Sequence, residues 1–115
     1  MVYRIIKAYQ PQDNNRWRVQ AGEEVLYDRR PTDYRGWLWC TNNDGKSAWA
    51  PERWVTIISS ERCHFIRDYD ASELRVDVGQ IVEGDIMESG WVLVSDAKKI
   101  SGWVPLECLE SYNDL

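Results

Sequence analysis

Gly36-Trp37-Leu38-Trp39-Cys40 runs on to Trp49-Ala50-Pro51, and the chain then repeats the pattern as Gly90-Trp91-Val92-Leu93-Val94 running on to Trp103-Val104-Pro105. Trp37 and Trp49 are 12 positions apart, as are Trp91 and Trp103. In each block a tryptophan opens a strand-like run, a polar turn follows, and a second tryptophan leads into a proline. Self-similarity of this kind sets the architecture before any single residue is weighed.

Working outward, Val19-Gln20-Ala21-Gly22-Glu23-Glu24-Val25 matches Val76-Asp77-Val78-Gly79-Gln80-Ile81-Val82, and Ile5-Ile6-Lys7-Ala8-Tyr9 matches Phe65-Ile66-Arg67-Asp68-Tyr69. The offset is 60 at the tyrosines, 57 at the glycines and 54 at the tryptophans. Copy one therefore carries two insertions, in polar stretches between Tyr9 and Val19 and between Val25 and Gly36, where loops absorb extra residues. The repeat predicts two domains, residues 1–58 and 62–112. Each is near the lower size limit for independent folding. Only Ser59-Ser60-Glu61-Arg62 joins them, too short and stiff a joint for wide independent tumbling.

Short apolar runs alternate with turn residues, and few stretches invite a helix. Strands are expected at Val2–Ile6, around Trp17–Val19 and Val25–Tyr27, at Trp37–Thr41, Ser47–Ala50 and Val55–Ile58 in copy one. In copy two they fall at Cys63–Ile66, Leu74–Val76, Ile81–Ile86, Trp91–Ser95, Ile100–Val104 and Leu109–Glu110. Asn42-Asn43-Asp44-Gly45 and Asp96-Ala97-Lys98-Lys99 are hairpin turns, and Pro51–Trp54 suits one 3₁₀ turn. Val19, Val25, Cys40, Ala50 and Val55 form the expected core of copy one. Val76, Val82, Val94, Val104 and Leu109 form that of copy two. The pattern indicates an all-β chain of small antiparallel barrels or sandwiches.

The net charge of −5 is uneven. Residues 1–58 hold nine Lys+Arg against seven Asp+Glu, and residues 59–115 hold five against twelve, giving +2 and −7. Overall acidity argues against nucleic-acid binding, which rests on neutralising phosphates. Cys40, Cys63 and Cys108 have no metal spacing and cannot all pair within one chain, so reduced, buried thiols and a cytoplasmic location are expected. No apolar run approaches a membrane span, and Met1-Val2-Tyr3-Arg4-Ile5-Ile6 is too short and polar for a signal peptide. His64, the sole histidine, lies beside Cys63 in a strand with no third group at a catalytic spacing. Gly22 and Gly79 stand alone and make no phosphate loop. No catalytic residue, metal or cofactor is expected.

Each copy resembles an SH3 domain, and the two together cover nearly the whole chain. The family opening Ala-Leu-Tyr-Asp-Tyr is matched by Ile5-Ile6-Lys7-Ala8-Tyr9 and Phe65-Ile66-Arg67-Asp68-Tyr69. Glu/Asp-Leu-Ser-Phe is matched by Arg16-Trp17-Arg18-Val19 and Glu73-Leu74-Arg75-Val76, and the diverging-turn glycine by Gly22 and Gly79. The Trp-Trp pair is matched by Trp37-Leu38 and Trp91-Val92. Gly-Tyr/Trp-Ile/Val-Pro-x-x-Tyr-Val is matched by Ala48-Trp49-Ala50-Pro51-Glu52-Arg53-Trp54-Val55 and Gly102-Trp103-Val104-Pro105-Leu106-Glu107-Cys108-Leu109.

The resemblance implies two five-stranded SH3-like antiparallel barrels in tandem, each with an aromatic groove for proline-rich peptides in the polyproline II form. Transferred residue by residue, it gives Tyr9, Trp37, Trp49, Pro51 and Trp54 as the peptide-binding set of copy one. Copy two has Tyr69, Glu73, Trp91, Trp103 and Pro105, with Asp70 and Glu88 as supporting acids. Lys7 and Arg67 replace the first groove tyrosine, Arg16 replaces the ligand-pairing acid of copy one, and Cys108 replaces the last ring of copy two. Trp37 and Trp91 are expected at groove surfaces and Trp17 in the core. Copy one should favour ligands apolar or acidic beside their prolines, and copy two basic ones.

The expected function is a non-catalytic adaptor or scaffold binding a protein or a proline-rich or extended peptide. The alternative is a structural or assembly protein whose grooves pack on each other or on a folded partner. A third class, a similar barrel gripping nucleic acid or a methylated side chain with its aromatics, is disfavoured for nucleic acid by the charge.

Overall fold

The computed structural model describes residues 1–11, 16–31 and 35–113. The described chain is all-β, with twelve strands, two single 3₁₀ turns and no α-helix. The strands are β1 (Val2–Ile5), β2 (Arg18–Val19), β3 (Glu24–Asp28), β4 (Trp37–Thr41), β5 (Ser47–Pro51), β6 (Val55–Ile57), β7 (Arg62–Phe65), β8 (Tyr69–Asp70), β9 (Ile81–Glu88), β10 (Trp91–Ser95), β11 (Ser101–Pro105) and β12 (Leu109–Ser111). The 3₁₀ turns, Glu52–Trp54 and Leu106–Cys108, each follow a proline.

Both expected hairpin turns form, by the same device. The Asn42 side-chain oxygen accepts from the amides of Asp44 and Lys46, each at 3.0 Å. Asp96 does the same for Lys98 and Ile100 at 2.9 and 3.0 Å. A short polar side chain that reaches its own backbone two residues on is why these residue types start turns. Gly22 and Gly79 sit at φ 87° and 94°, the left-handed conformation glycine permits.

The strands form two five-stranded antiparallel sheets and a two-stranded one, and none closes into a barrel. Among the described residues no ladder joins the two edge strands of either five-stranded sheet. One edge is covered by irregular chain instead. The expected strand Leu74–Val76 is replaced by a run whose Leu74 amide donates to the Trp103 carbonyl (3.1 Å), while the Trp103 amide donates to Ser72 (3.0 Å). Covering an edge in this way satisfies its backbone groups without full closure.

Sheet membership departs from the sequence boundaries. One sheet has the order β11–β10–β9–β1–β12 and the other β5–β4–β3–β7–β6. Each therefore takes four strands from one copy of the repeat and the first strand from the other copy. The chain divides into one unit of Met1–Asn14 with Ser72–Leu115 and another of Asn15–Ala71. These are called here the outer and inner units, by their place in the sequence, and they replace the expected division at 1–58 and 62–112. The physical cause lies in the joint. Ser59–Arg62 is not a linker but the turn of a hairpin: the amides of Ile58 and Ser59 donate to the Arg62 carbonyl at 2.9 and 3.1 Å. A connection this short lays β7 antiparallel against β6, so the first strand of copy two joins the last strand of copy one.

The outer unit has an aliphatic core. Ile5, Val76, Val82, Val92, Val94 and Val104 are each about 1 % exposed or less except Val82 at 2 %, with Tyr9 packed against the cluster. The core of the inner unit holds an aromatic cluster beside Val25, Leu38 and Cys40. Trp17, Phe65 and Tyr69 are buried together, with ring centroids 5.7 to 6.2 Å apart. Trp17 is thus core, as expected. So are all the core residues expected of copy two and those of copy one, apart from Val55, which is half-buried.

Candidate peptide-binding surfaces

The exchange of first strands re-sorts the candidate site residues. Tyr9 is brought to Trp91 rather than to Trp37, and Tyr69 to Trp54 and Trp49 rather than to Trp91. Each unit therefore carries a set assembled from both copies.

In the outer unit, Tyr9 is fixed by paired main-chain bonds to Val76, at 2.9 and 3.0 Å. Its ring meets Trp91 edge to face, with centroids 5.8 Å apart and planes at 84°. Both rings are half-buried. The Tyr9 hydroxyl donates to the Glu73 carboxylate, and Glu73 is itself placed by the bridge that seats its segment on Trp103. Trp103 and Pro105 are buried, Trp103 at 2 % exposure, so they support this surface rather than line it. Glu88, opposite Trp91 across the β9–β10 ladder, is a buried acid at 4 % exposure. Lys7 lies 4.0 Å from Glu107. Re-sorting also moves charge. The outer unit holds five Lys+Arg against ten Asp+Glu, a net of −5, whereas the inner unit holds nine of each and is neutral.

The inner unit differs in kind. Trp37, expected at a groove surface, is buried at 9 % exposure, as are Trp54 at 5 % and Tyr69 at 3 %. Tyr69 donates its hydroxyl proton to the Trp49 carbonyl (2.7 Å) and meets Trp54 edge to face at 5.3 Å. Pro51 is buried opposite Trp37. The Arg67 guanidinium stands 4.1 Å from the Trp54 ring centroid, where its charge meets the negative face of the indole. Asp70, expected to support Glu73, belongs to this unit and pairs with Arg18 at 2.9 Å.

The pairing of Trp49, expected in the peptide-binding set of copy one, with Trp39 went unread in the sequence. Trp39 and Trp49 face each other across β4 and β5, edge to face at 5.1 Å, both half-buried. Arg30 lies 4.6 Å from the Trp39 ring centroid, held by two bonds to Asp28 at 3.1 and 3.0 Å. That hydrogen bonding keeps the Asp28 carboxyl below its ordinary range. The signal was the hairpin turn at Asn42–Gly45, whose register sets Trp39 opposite Trp49.

Cys40, Cys63 and Cys108 are buried and unpaired by disulfides. Cys40, hydrogen-bonded to Cys63 and desolvated, has its thiol pushed well up, and burial raises that of Cys108. Among the described residues no three His, Cys, Asp or Glu side chains are grouped to hold a metal ion. Among the described residues no helix is long and apolar enough to cross a membrane. No family model, no curated protein and no solved structure matches the chain.

Proposed function

We propose that this chain is a non-catalytic protein-interaction module made of two SH3-like units with exchanged first strands, and that the outer unit binds an extended, proline-rich peptide carrying a basic residue. The observation that carries this reading is the half-buried Tyr9–Trp91 ring pair with the Glu73 carboxylate beside it, on a unit of net charge −5. Half-buried aromatic rings offer a prolyl ring an apolar contact surface. A carboxylate at its end offers a lysine or arginine a charge-assisted hydrogen bond. The five strands of each sheet agree with the strand number the SH3 resemblance implies. Three cysteines left as thiols suit a reducing compartment, for which we propose the cytoplasm.

A second reading applies to the inner unit. There Trp37, Trp54 and Tyr69 are buried and Arg67 already lies over Trp54, which favours a structural role or packing on a folded partner over peptide capture.

Titration of the labelled chain with a basic proline-rich peptide, followed by amide and indole chemical shifts, tests the first reading. Shifts should centre on Tyr9, Glu73 and Trp91, weaken with salt and vanish in Glu73→Lys. Absence of any shift at Trp91, or equal binding by Glu73→Lys, would refute it.

A further inference from the structure

The two first strands occupy equivalent places. In the outer unit Tyr3 stands opposite Val82, and the Gly84 amide donates to the Met1 carbonyl at 2.7 Å. In the inner unit Cys63 stands opposite Val25, and the Tyr27 amide donates to the Glu61 carbonyl at 2.9 Å. On the far side Tyr3 faces Ser111, and Cys63 faces Ile57. The repeat offsets of 60 on the first strand, 57 on the second and 54 on the last map each of these residues onto its counterpart. By register alone, β1 and β7 are interchangeable.

By size they are not. A Cβ added at Gly84 would lie 2.4 Å from Tyr3 Cε2 and 2.9 Å from its Cδ2, so the Tyr3 ring, buried at 7 % exposure, fills the space a side chain would need. An aromatic ring laid over a strand glycine is a known stabilising pair. In the inner unit the sizes are reversed: Cys63 is the small member, and Tyr27 stands where the outer unit has Gly84. Cys40, opposite Tyr27, fills the place that Val94 holds opposite Gly84. If each copy kept its own first strand, Tyr3 would face Tyr27 and Cys63 would face Gly84. One site would be overfilled and the other hollow, and close-packed interiors resist both faults.

We propose that Tyr3 with Gly84, and Cys63 with Tyr27, form a size code by which the chain assigns each first strand to the other copy. The exchange is then specified by side chains as well as by the short joint. Each candidate binding surface is consequently assembled from both copies by design of the sequence.

The test separates the code from the joint. A flexible Gly/Ser spacer inserted after Ser60 in the full chain removes the constraint of the hairpin. Cross-strand NOEs then report pairing: Arg4 with Glu110 for the exchanged form, seen now, or Arg4 with Thr56, the residue now opposite His64, for the unexchanged one. With the native code the spacer variant should keep Arg4–Glu110. With Tyr3→Cys and Cys63→Tyr added, which make each first strand fit its own copy, it should switch to Arg4–Thr56. Loss of exchange on adding the spacer alone, or its persistence after these two substitutions, overturns the proposal. Should the reversed variant fail to fold, a double-mutant cycle on the native chain decides. Gly84→Ala should raise the unfolded-to-folded ratio about tenfold or more, and by far less in a Tyr3→Ala background. Additive effects would show that the ring and the glycine are not coupled, and the code would fall.

Discussion

Trp37 and Trp91 hold the same place in the repeat but should respond unequally to truncation. Trp37 is 9 % exposed and backed by buried Pro51, whereas Trp91 is half-buried with its ring edge-on to Tyr9. A buried aromatic ring removes about 150–250 Å² from water. At about 25 cal/mol per Å² this corresponds to roughly 4–6 kcal/mol, near the ~3–5 kcal/mol typical of Trp→Ala in cores. Trp37→Ala should therefore cost about 3–5 kcal/mol, a large part of the ~5–15 kcal/mol that holds a domain folded. Trp91→Ala loses less buried area, together with the edge contact to Tyr9, and should cost less than Trp37→Ala. Urea denaturation followed by far-UV circular dichroism reads both. With a slope of roughly 2 kcal/mol per molar, the Trp37→Ala midpoint should fall by about 2 M and that of Trp91→Ala by less, at unchanged slope. A Trp37→Ala midpoint equal to that of the parent, or equal losses at the two positions, would refute the assignment of Trp37 to the interior.

Two further predictions rest on local geometry. A Cβ at Gly102 would lie 2.7 Å from the Leu74 amide nitrogen and 3.0 Å from the Glu73 carbonyl carbon, so Gly102→Ala should push that segment off β11 and weaken basic-peptide binding, read by the same titration, with loss of the Tyr9–Glu73 bond. Because the thiolate is the reactive form and both thiols are buried with raised pKa, Cys40 and Cys108 should resist iodoacetamide at pH 8 in the native chain; mass spectrometry showing rapid modification without unfolding would contradict this.

Much of this architecture is legible in the residues. The alternation around Trp37 and Trp91 places β4 and β10, the Asn42 and Asp96 turns place the hairpins, and the valines mark the outer core. What local pattern does not carry is partnership. Val2–Ile5 and Arg62–Phe65 alternate alike, and a periodicity that identifies a strand says nothing about which sheet receives it. The information was present in two places: a joint short enough to be a hairpin, and a tyrosine matched to a glycine far along the chain. Burial of Trp37 was equally non-local, since the repeat sets it after a glycine and before an apolar residue, as it does Trp91. The grouping of Tyr9 with Glu73 and Trp91 followed from partnership, so it was read wrongly for the same reason.

The nesting of one unit inside the other sets an order on the ribosome. All strands of the inner unit lie between Arg18 and Asp70, so that unit can close while the remainder is still being translated. β1 leaves the exit tunnel first yet pairs with Ile81–Glu83 and with Leu109–Ser111. At about 5–20 residues per second, the hundred-odd residues between them keep that leading strand waiting for several seconds. During that interval its unpaired edge is open to any other nascent chain, because the strand is made well before either of its partners.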